Sequence, residues 1–162
     1  MESPIKLLIV DDEVQFLDAI AKRLELRDFE VTKATNGYDA LDKAENDKFD
    51  LALLDLKMPG MDGREVLAKL KASHQYLEVI ILTGHGSLES AVDCTKLGAF
   101  GYLPKPYELD SLVELLRDAY QLRLQKKFEA DTARLEEITR IAQGESPLAI
   151  LRKLREMDDG ER

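Results

Sequence analysis

Apolar residues follow two different periodicities between Ile5 and Lys105. Short apolar runs, typical of buried parallel strands, alternate with stretches in which apolar residues recur every three or four positions, as on one face of a helix. The pattern predicts a series of strands and helices joined by short connections. The strands are at 5–10, near Val31, and at 50–55, 78–83 and 99–104, and the helices are at 13–27, 38–47, 63–73 and 88–97.

This alternation predicts the fold class. Strands that alternate with helices through short connections form a parallel sheet with helices on both faces. We therefore expect an α/β domain with a doubly wound, five-stranded parallel sheet. At 162 residues the chain is long enough for one such domain and an appendage, but short for two full domains.

After Tyr107 the pattern becomes one long helical stretch without Gly or Pro until Gly144. Its first part can cover the sheet, so we expect a domain at 1–122 and a helical extension at 123–162. A possible coiled-coil segment at 124–142 has a 4-3-4-3-4 spacing, although an aspartate interrupts its apolar stripe. The seam residues are Leu124, Phe128, Asp131, Leu135, Ile138 and Ala142. Packing against its own domain is the common role of such a stripe, but the helix outruns the domain, so homodimerisation is slightly favoured.

The extension contains a second helix signal. Gly144 is predicted to end the long helix, Ser146 to be an N-cap and Pro147 to lie in the first turn of a new helix. Together they predict a short helix at 147–157. We expect the chain after that helix to be frayed.

Charge and cysteine content limit the partners. The chain has 32 acidic and 23 basic residues, a formal net charge of −9, so its field disfavours direct binding to nucleic acid and to anionic membranes. A single cysteine, Cys94, excludes an internal disulfide and suits a reducing compartment. The first apolar run is interrupted by Asp11 and Asp12, which makes it too short for a signal peptide or a membrane span. We expect a cytoplasmic protein.

Each of four strands ends in a residue suited to phosphate or metal chemistry. Asp11 and Asp12 follow the first, Asp55 the third, and Thr83 and Lys105 end the fourth and fifth. The carboxyl ends of parallel strands meet at one edge of the sheet, where open α/β sheets bind their ligands. We therefore expect three carboxylates, a hydroxyl and an ammonium to converge.

Asp55 is the candidate nucleophile of this site, because a carboxylate can attack phosphorus to give an acyl phosphate. Asp11 and Asp12 beside it form an oxygen-rich cluster whose repulsion a small hard cation relieves, and Mg²⁺ is the natural candidate. Lys105 and Thr83 can contact phosphoryl oxygens from the other side. Taken singly, these residues have simpler roles: helix-capping aspartates, a solvated lysine and a β-branched strand threonine.

Four separated motifs give the chain a family resemblance. They are Val10-Asp11-Asp12, the stretch from Leu54 to Gly63, Thr83-Gly84 and Lys105-Pro106. In this order and at this spacing they closely resemble the receiver domain of two-component response regulators, over about residues 5–120. The resemblance implies a flavodoxin-like fold with strand order 2-1-3-4-5.

The resemblance also implies residue roles. Asp55 would be the phosphoacceptor, phosphorylated by a sensor histidine kinase or phosphotransfer protein. Asp12, Asp55 and the backbone carbonyl of Lys57 would bind Mg²⁺ directly, and Asp11 through water. Thr83 and Lys105 would bind the phosphoryl group. The resemblance further implies a cis Lys105–Pro106 peptide. It also implies that Tyr102 is the switch aromatic, which moves inward on phosphorylation. This movement would change the surface formed by helix 88–97, the last strand and the helix from 108.

Other function classes remain open at this stage. Phosphatases with an aspartyl nucleophile usually carry a second aspartate two positions later, where this chain has Lys57. A scaffold that is never phosphorylated would not need the full set of site residues. We therefore expect a signalling switch with self-directed phosphotransfer and autodephosphorylation only. Its downstream protein is open, and residues 83–87 and 96–100 resemble receivers attached to transcriptional activators, so the chain could be a fragment of one.

Overall fold

The structure is a computed structural model and describes residues 3–84, 86–144 and 147–159. Five parallel strands form one sheet in the order β2-β1-β3-β4-β5, and this confirms the predicted fold class. The strands are β1 (Ile5–Val10), β2 (Phe29–Ala34), β3 (Leu51–Leu54), β4 (Glu78–Thr83) and β5 (Gly101–Pro104). The helices are α1 (Val14–Glu25), α2 (Gly37–Asn46), α3 (Gly63–Ser73), α4 (Leu88–Lys96), α5 (Leu109–Gly144) and α6 (Pro147–Asp159).

The element boundaries differ from the sequence prediction by a few residues. Strand β5 begins at Gly101 rather than 99, and β3 ends at Leu54, one residue before Asp55. Helix α6 continues to Asp159, where fraying was predicted after 157. Near this end Asp158 forms an ion pair with Arg134 of α5, a long-range contact that local helix propensity does not indicate. The proposed N-cap, Ser146, lies outside the described residues.

Two apolar layers cover the sheet. Alternate residues of a strand point to opposite faces, and in β1 Leu7 and Ile9 join one layer while Leu8 and Val10 join the other. Helices α1 and α5 pack on the first face, and α2, α3 and α4 on the second. Strands β1, β3 and β4 are therefore buried on both faces, which explains their nearly continuous apolar sequences.

Cys94 of α4 lies fully buried in the second layer. Burial raises the pKa of its thiol, so the group stays neutral and packs as a small apolar side chain.

Helix α5 runs without interruption from the sheet into the C-terminal extension and ends at Gly144, as predicted. Helix α6 folds back on it, where Ile141 is buried and Lys153 lies beside Glu137. Three apolar residues of the proposed coiled-coil seam nevertheless remain largely exposed. They are Leu124, Phe128 and Leu135.

Two ion pairs attach the beginning of the extension to the sheet. Arg123 donates to Asp50, just before β3, at 3.0 Å and to the backbone carbonyl of Tyr76 at 2.8 Å. Lys126 donates to Glu78, the first residue of β4, at 2.9 Å. The helix beyond residue 122 is thus fixed to the end of the sheet opposite the predicted site. In the part of the chain that the structure describes, no helix has a stretch both long and apolar enough to span a lipid bilayer.

Candidate functional site

The strand register places the predicted residues at one edge of the sheet. Leu54, the last residue of β3, pairs with Val10 of β1 and Ile81 of β4, and Thr83 of β4 pairs with Pro104 of β5. Asp11, Asp55 and Lys105 each follow the last residue of a strand. Residues far apart in the sequence therefore project from the same edge, as the chemistry requires.

Three carboxylates form a compact cluster there. One oxygen from each of Asp11, Asp12 and Asp55 lies within 4.8 Å of the others. Asp11 and Asp55 are buried, with 2 % and 3 % of their surface exposed, whereas Asp12 is exposed. The cluster thus has a buried base and one ligand at the rim, which leaves a route for an ion or a phosphoryl group to enter from solvent.

Lys105 supplies the positive charge beside this cluster. Its Nζ donates to Oδ2 of Asp11 at 2.6 Å and lies 3.8 Å from Oδ2 of Asp55. Oδ1 of Asp11 accepts from the backbone N–H of Glu13 at 2.9 Å. Asp11 is therefore not capping α1 with its side chain, because its carboxylate is engaged by Lys105 and by the loop before the helix.

Burial and the neighbouring Lys105 ammonium act in opposite directions on the pKa of Asp11. Burial raises the pKa of Asp11, while the hydrogen bond from Lys105 acts in the opposite direction. The nearby charge of Asp55 raises this pKa further. The carboxylates are thus held together at a cost that an additional cation would offset.

The donor set fits a hard divalent cation. Oδ1 of Asp55 is buried and has no hydrogen-bond partner among the residues that the structure describes. A buried carboxylate oxygen without a partner is costly, and Asp55 belongs to the cluster of three carboxylates. Oxygen donors of this kind suit Mg²⁺, which binds through a few carboxylates and keeps several waters. Asp11, Asp12 and Asp55 are the residues that would hold it.

Thr83 and Tyr102 lie on the opposite side of the site from α1. Thr83 is 1 % exposed at the end of β4. The Tyr102 ring packs against the core layer below α4, and its hydroxyl meets the backbone of Gly86, where an added Cβ would lie only 1.5 Å from the oxygen. Burial raises the pKa of this hydroxyl, which has no hydrogen-bond partner of ordinary geometry among the described residues. The backbone N–H of Ser87 lowers the pKa of the Tyr102 hydroxyl, but this effect is smaller than that of burial.

The remaining predicted residues lie near the site in less constrained positions. Lys57 is exposed in the loop after β3, two residues beyond Asp55. The Lys105–Pro106 peptide bond is cis. His74 is the C-cap of α3, and His85 lies outside the described residues.

A sequence profile of the response regulator receiver domain matches residues 7–117. The chain belongs to this family. The receiver is 35% identical over 118 residues to Sporulation initiation phosphotransferase F of Bacillus subtilis (strain 168), a match that covers 73% of this chain and 95% of that protein. Its structure resembles a CheY-like receiver domain protein from Methanospirillum hungatei JF-1, with a TM-score of 0.74, 35% identity, and coverage of 76% and 99% of the two chains.

Other relatives are much longer than this receiver. Transcriptional regulatory protein GlrR of Escherichia coli (strain K12) is 36% identical over 118 residues, which are 73% of this chain but 27% of that protein. The chain thus spans about a quarter of the length of this relative. The family assignment accounts for residues 7–117 and leaves most of α5 beyond the receiver, together with α6, without a counterpart in the profile.

Sequence reasoning missed one residue of the site. From the sequence, Phe16 is only one of the apolar residues of the helix predicted at 13–27, but in the structure its ring centroid lies 3.9 Å from Nζ of Lys105. The Tyr107 ring meets Phe16 edge-on, with centroids 6.0 Å apart. The available signal was the position of Phe16 in the first turns of the helix that follows Asp11 and Asp12, next to the edge where the site was expected.

Proposed function

We propose that this receiver is a phosphorylation-controlled switch in which Asp55 accepts a phosphoryl group from a phosphohistidine of a sensor histidine kinase or phosphotransfer protein. The observation that carries the proposal is the convergence of Asp55 with Asp11, Asp12 and Lys105 at one sheet edge. A single carboxylate, an acidic pair and a lysine in this arrangement match what phosphoryl transfer needs: a nucleophile, charge neutralisation and positioning.

The proposed step is a direct displacement at phosphorus. An oxygen of the Asp55 carboxylate attacks, the P–O bond forms, and the P–N bond to the donor imidazole breaks, with the electron pair returning to the imidazole nitrogen. Hydrolysis later cleaves the acyl phosphate and releases inorganic phosphate. Bound Mg²⁺ supplies charge neutralisation for the phosphoryl oxygens.

The chain's own residues orient the reaction. Asp12, Asp55 and the Lys57 carbonyl would bind the cation directly, and Asp11 would act through water. The Lys105 ammonium, already 3.8 Å from Asp55, contacts a phosphoryl oxygen, and the Thr83 hydroxyl contacts another. Because these groups lie on rigid strand ends, most of the positioning exists before the donor arrives.

The switch follows from the added charge. Phosphorylation brings roughly two negative charges to Asp55, which attract Thr83 and stabilise the inward position of Tyr102. The Tyr102 ring already packs inward in this structure, so phosphorylation would shift a population rather than create a new state. The affected surface comprises α4, β5 and the first turns of α5.

This switch is not an enzyme acting on a free metabolite. Lys57 stands where phosphatases with an aspartyl nucleophile carry a second aspartate, so a general acid for leaving-group release is missing from that position. Phosphotransfer and hydrolysis at Asp55 are therefore self-directed, with one phosphoryl group per site.

The output is a protein contact in the cytoplasm rather than a direct contact with nucleic acid or membrane. Two observations bear on its form. The exposed apolar residues Leu124, Phe128 and Leu135 on the extension support a homodimer. The similarity to much longer regulators such as GlrR supports a second possibility, that the chain is the receiver portion of a transcriptional activator.

Labelling with a small phosphodonor tests the proposal. Acetyl phosphate and Mg²⁺ should give close to one acid-labile phosphate per chain, and EDTA should prevent it. Asp55→Asn should abolish the label, whereas Asp62→Asn, an exposed N-cap of α3, serves as the matched control and should keep it. Labelling of the Asp55→Asn variant at the wild-type stoichiometry would refute the assignment, and many turnovers of a general phosphoester would favour a phosphatase.

A further inference from the structure

Lys105 has three neighbours that fix its ammonium, and one of them is not a charge. Nζ lies 2.6 Å from Asp11, 3.8 Å from Asp55 and 3.9 Å from the ring centroid of Phe16. The lysine side chain is 15% exposed. The Phe16 ring therefore occupies space around the ammonium that water would otherwise fill.

Phe16 does not behave as an ordinary core residue. It is only half-buried at the margin of the layer formed by α1 and α5, whereas Leu17, Ile20 and Leu24 of the same helix are fully buried. The Tyr107 ring packs edge-on against it at 6.0 Å and 85°. This contact fixes the orientation of the Phe16 ring, so its negative face is presented to the ammonium.

We propose that Phe16 is a positioning residue for phosphoryl transfer, holding the Lys105 ammonium at the phosphoacceptor by a cation–π contact. The inference rests on the proposed function of Asp55 and goes beyond it, because it assigns a role to a residue outside the acid, hydroxyl and lysine set. Lysine has a flexible four-carbon stem and loses much rotamer freedom when it is held in one place.

The ring offers the ammonium a contact that carries no net charge. Asp11 holds the ammonium most closely, and Asp11 is also one of the three carboxylates that would hold the cation. The Phe16 face would hold the ammonium without competing for that cation.

A fluorination series isolates the electrostatic role from the steric one. Phenylalanine at position 16 is replaced by its mono-, di- and trifluorinated analogues, which weaken the negative ring face stepwise while nearly preserving its shape. We expect the apparent second-order rate of labelling by acetyl phosphate to fall in the same order, to about one-fifth to one-tenth of the wild-type rate. A flat series would overturn the proposal.

Ordinary substitutions provide a second test. Phe16→Leu should slow labelling by a similar factor, and Phe16→Tyr, which retains the ring face, should restore most of the rate. In the Lys105→Met background, Phe16→Leu should cause no further loss, because no ammonium remains to be positioned. An equal loss in both backgrounds would indicate a merely structural role and would refute the inference.

Two controls separate the possible failures. Thermal unfolding of each variant checks that the fold is intact, and the fluorinated proteins retain the same ring should Phe16→Leu prove unstable. If the wild type takes up no phosphate at Asp55, the proposed function fails and the role of Phe16 falls with it. If the wild type is labelled but the labelling rate does not change with ring fluorination, only the role of Phe16 is wrong.

Discussion

The ion pair between Lys126 and Glu78 gives the most direct prediction about stability. Glu78 begins β4 with only 2 % of its surface exposed, and its carboxylate accepts from Lys126 at 2.9 Å. Lys126→Met retains the length of the apolar stem but removes the charge. The carboxylate is then left at the end of the sheet without its closest partner.

The cost can be bounded from the geometry. Removing one partner of a fully buried pair costs about 3–5 kcal/mol. Here the Lys126 side chain is 44 % exposed, and the ammonium of Lys71 also acts on Glu78, so solvent and a second cation compensate part of the loss. We expect Lys126→Met to lower the free energy of unfolding by about 1–2 kcal/mol. For a chain of this size that corresponds to a fall in Tm of about 2–8 °C.

Urea and thermal unfolding followed by circular dichroism measure this change. Lys127→Met is the matched control, because Lys127 is an exposed neighbour on the same helix and its removal changes the net charge equally. In the double variant with Glu78→Gln, we expect the cost of Lys126→Met to fall to about 0.5 kcal/mol or less, since no buried charge is left without a partner. Equal stability of the Lys126→Met and Lys127→Met proteins would refute this reasoning.

Two further predictions concern the site. Gly86→Ala should displace Tyr102 outward, because the new Cβ would lie 1.5 Å from its hydroxyl; ¹⁹F NMR of fluorotyrosine at position 102 should show the shift, and an unchanged spectrum would contradict it. Asp11→Asn should raise the Tm at neutral pH, because burial raises the pKa of Asp11 and the native state therefore binds its proton more readily than the unfolded chain. Asp11 contributes favourably to folding stability below the ordinary aspartate pKa, and this contribution is lost as pH rises through the pKa of Asp11 in the native state. The gain in Tm from Asp11→Asn should therefore shrink as pH falls towards 4. A gain that does not depend on pH would contradict a raised pKa as its cause.

Much of the fold follows from local pattern. Buried strands such as 78–83 are recognisable because every residue from Val79 to Leu82 is apolar, and a parallel arrangement requires both faces to be covered. Their polar ends then lie at one edge by topology alone, so the sequence pattern is sufficient to predict that Asp55 and Lys105 lie close together. Glu78 was the exception within that strand, since its buried carboxylate depends on a lysine 48 residues away.

The features that could not be predicted depend on contacts between distant segments. The position of Phe16 shortly after Asp11 and Asp12 places it near the edge of the site, but it does not indicate that the ring lies beside Lys105. The return of α6 along α5 depends on pairs such as Arg134 with Asp158. These contacts depend on the direction in which α5 runs. Apolar residues at every third or fourth position do not specify which face of such a long helix will be covered by another segment.

The hairpin formed by α5 and α6 also decides where an attached probe would report. From Arg123 to Gly144 the helix advances about 30 Å, but the return of α6 brings Asp158 back to Arg134, roughly midway along that length. A fluorophore or fusion partner joined after Asp159 would therefore sit nearer the sheet than one inserted at the bend. Distance measurements between two labels should account for this reversal when they are used to follow signalling.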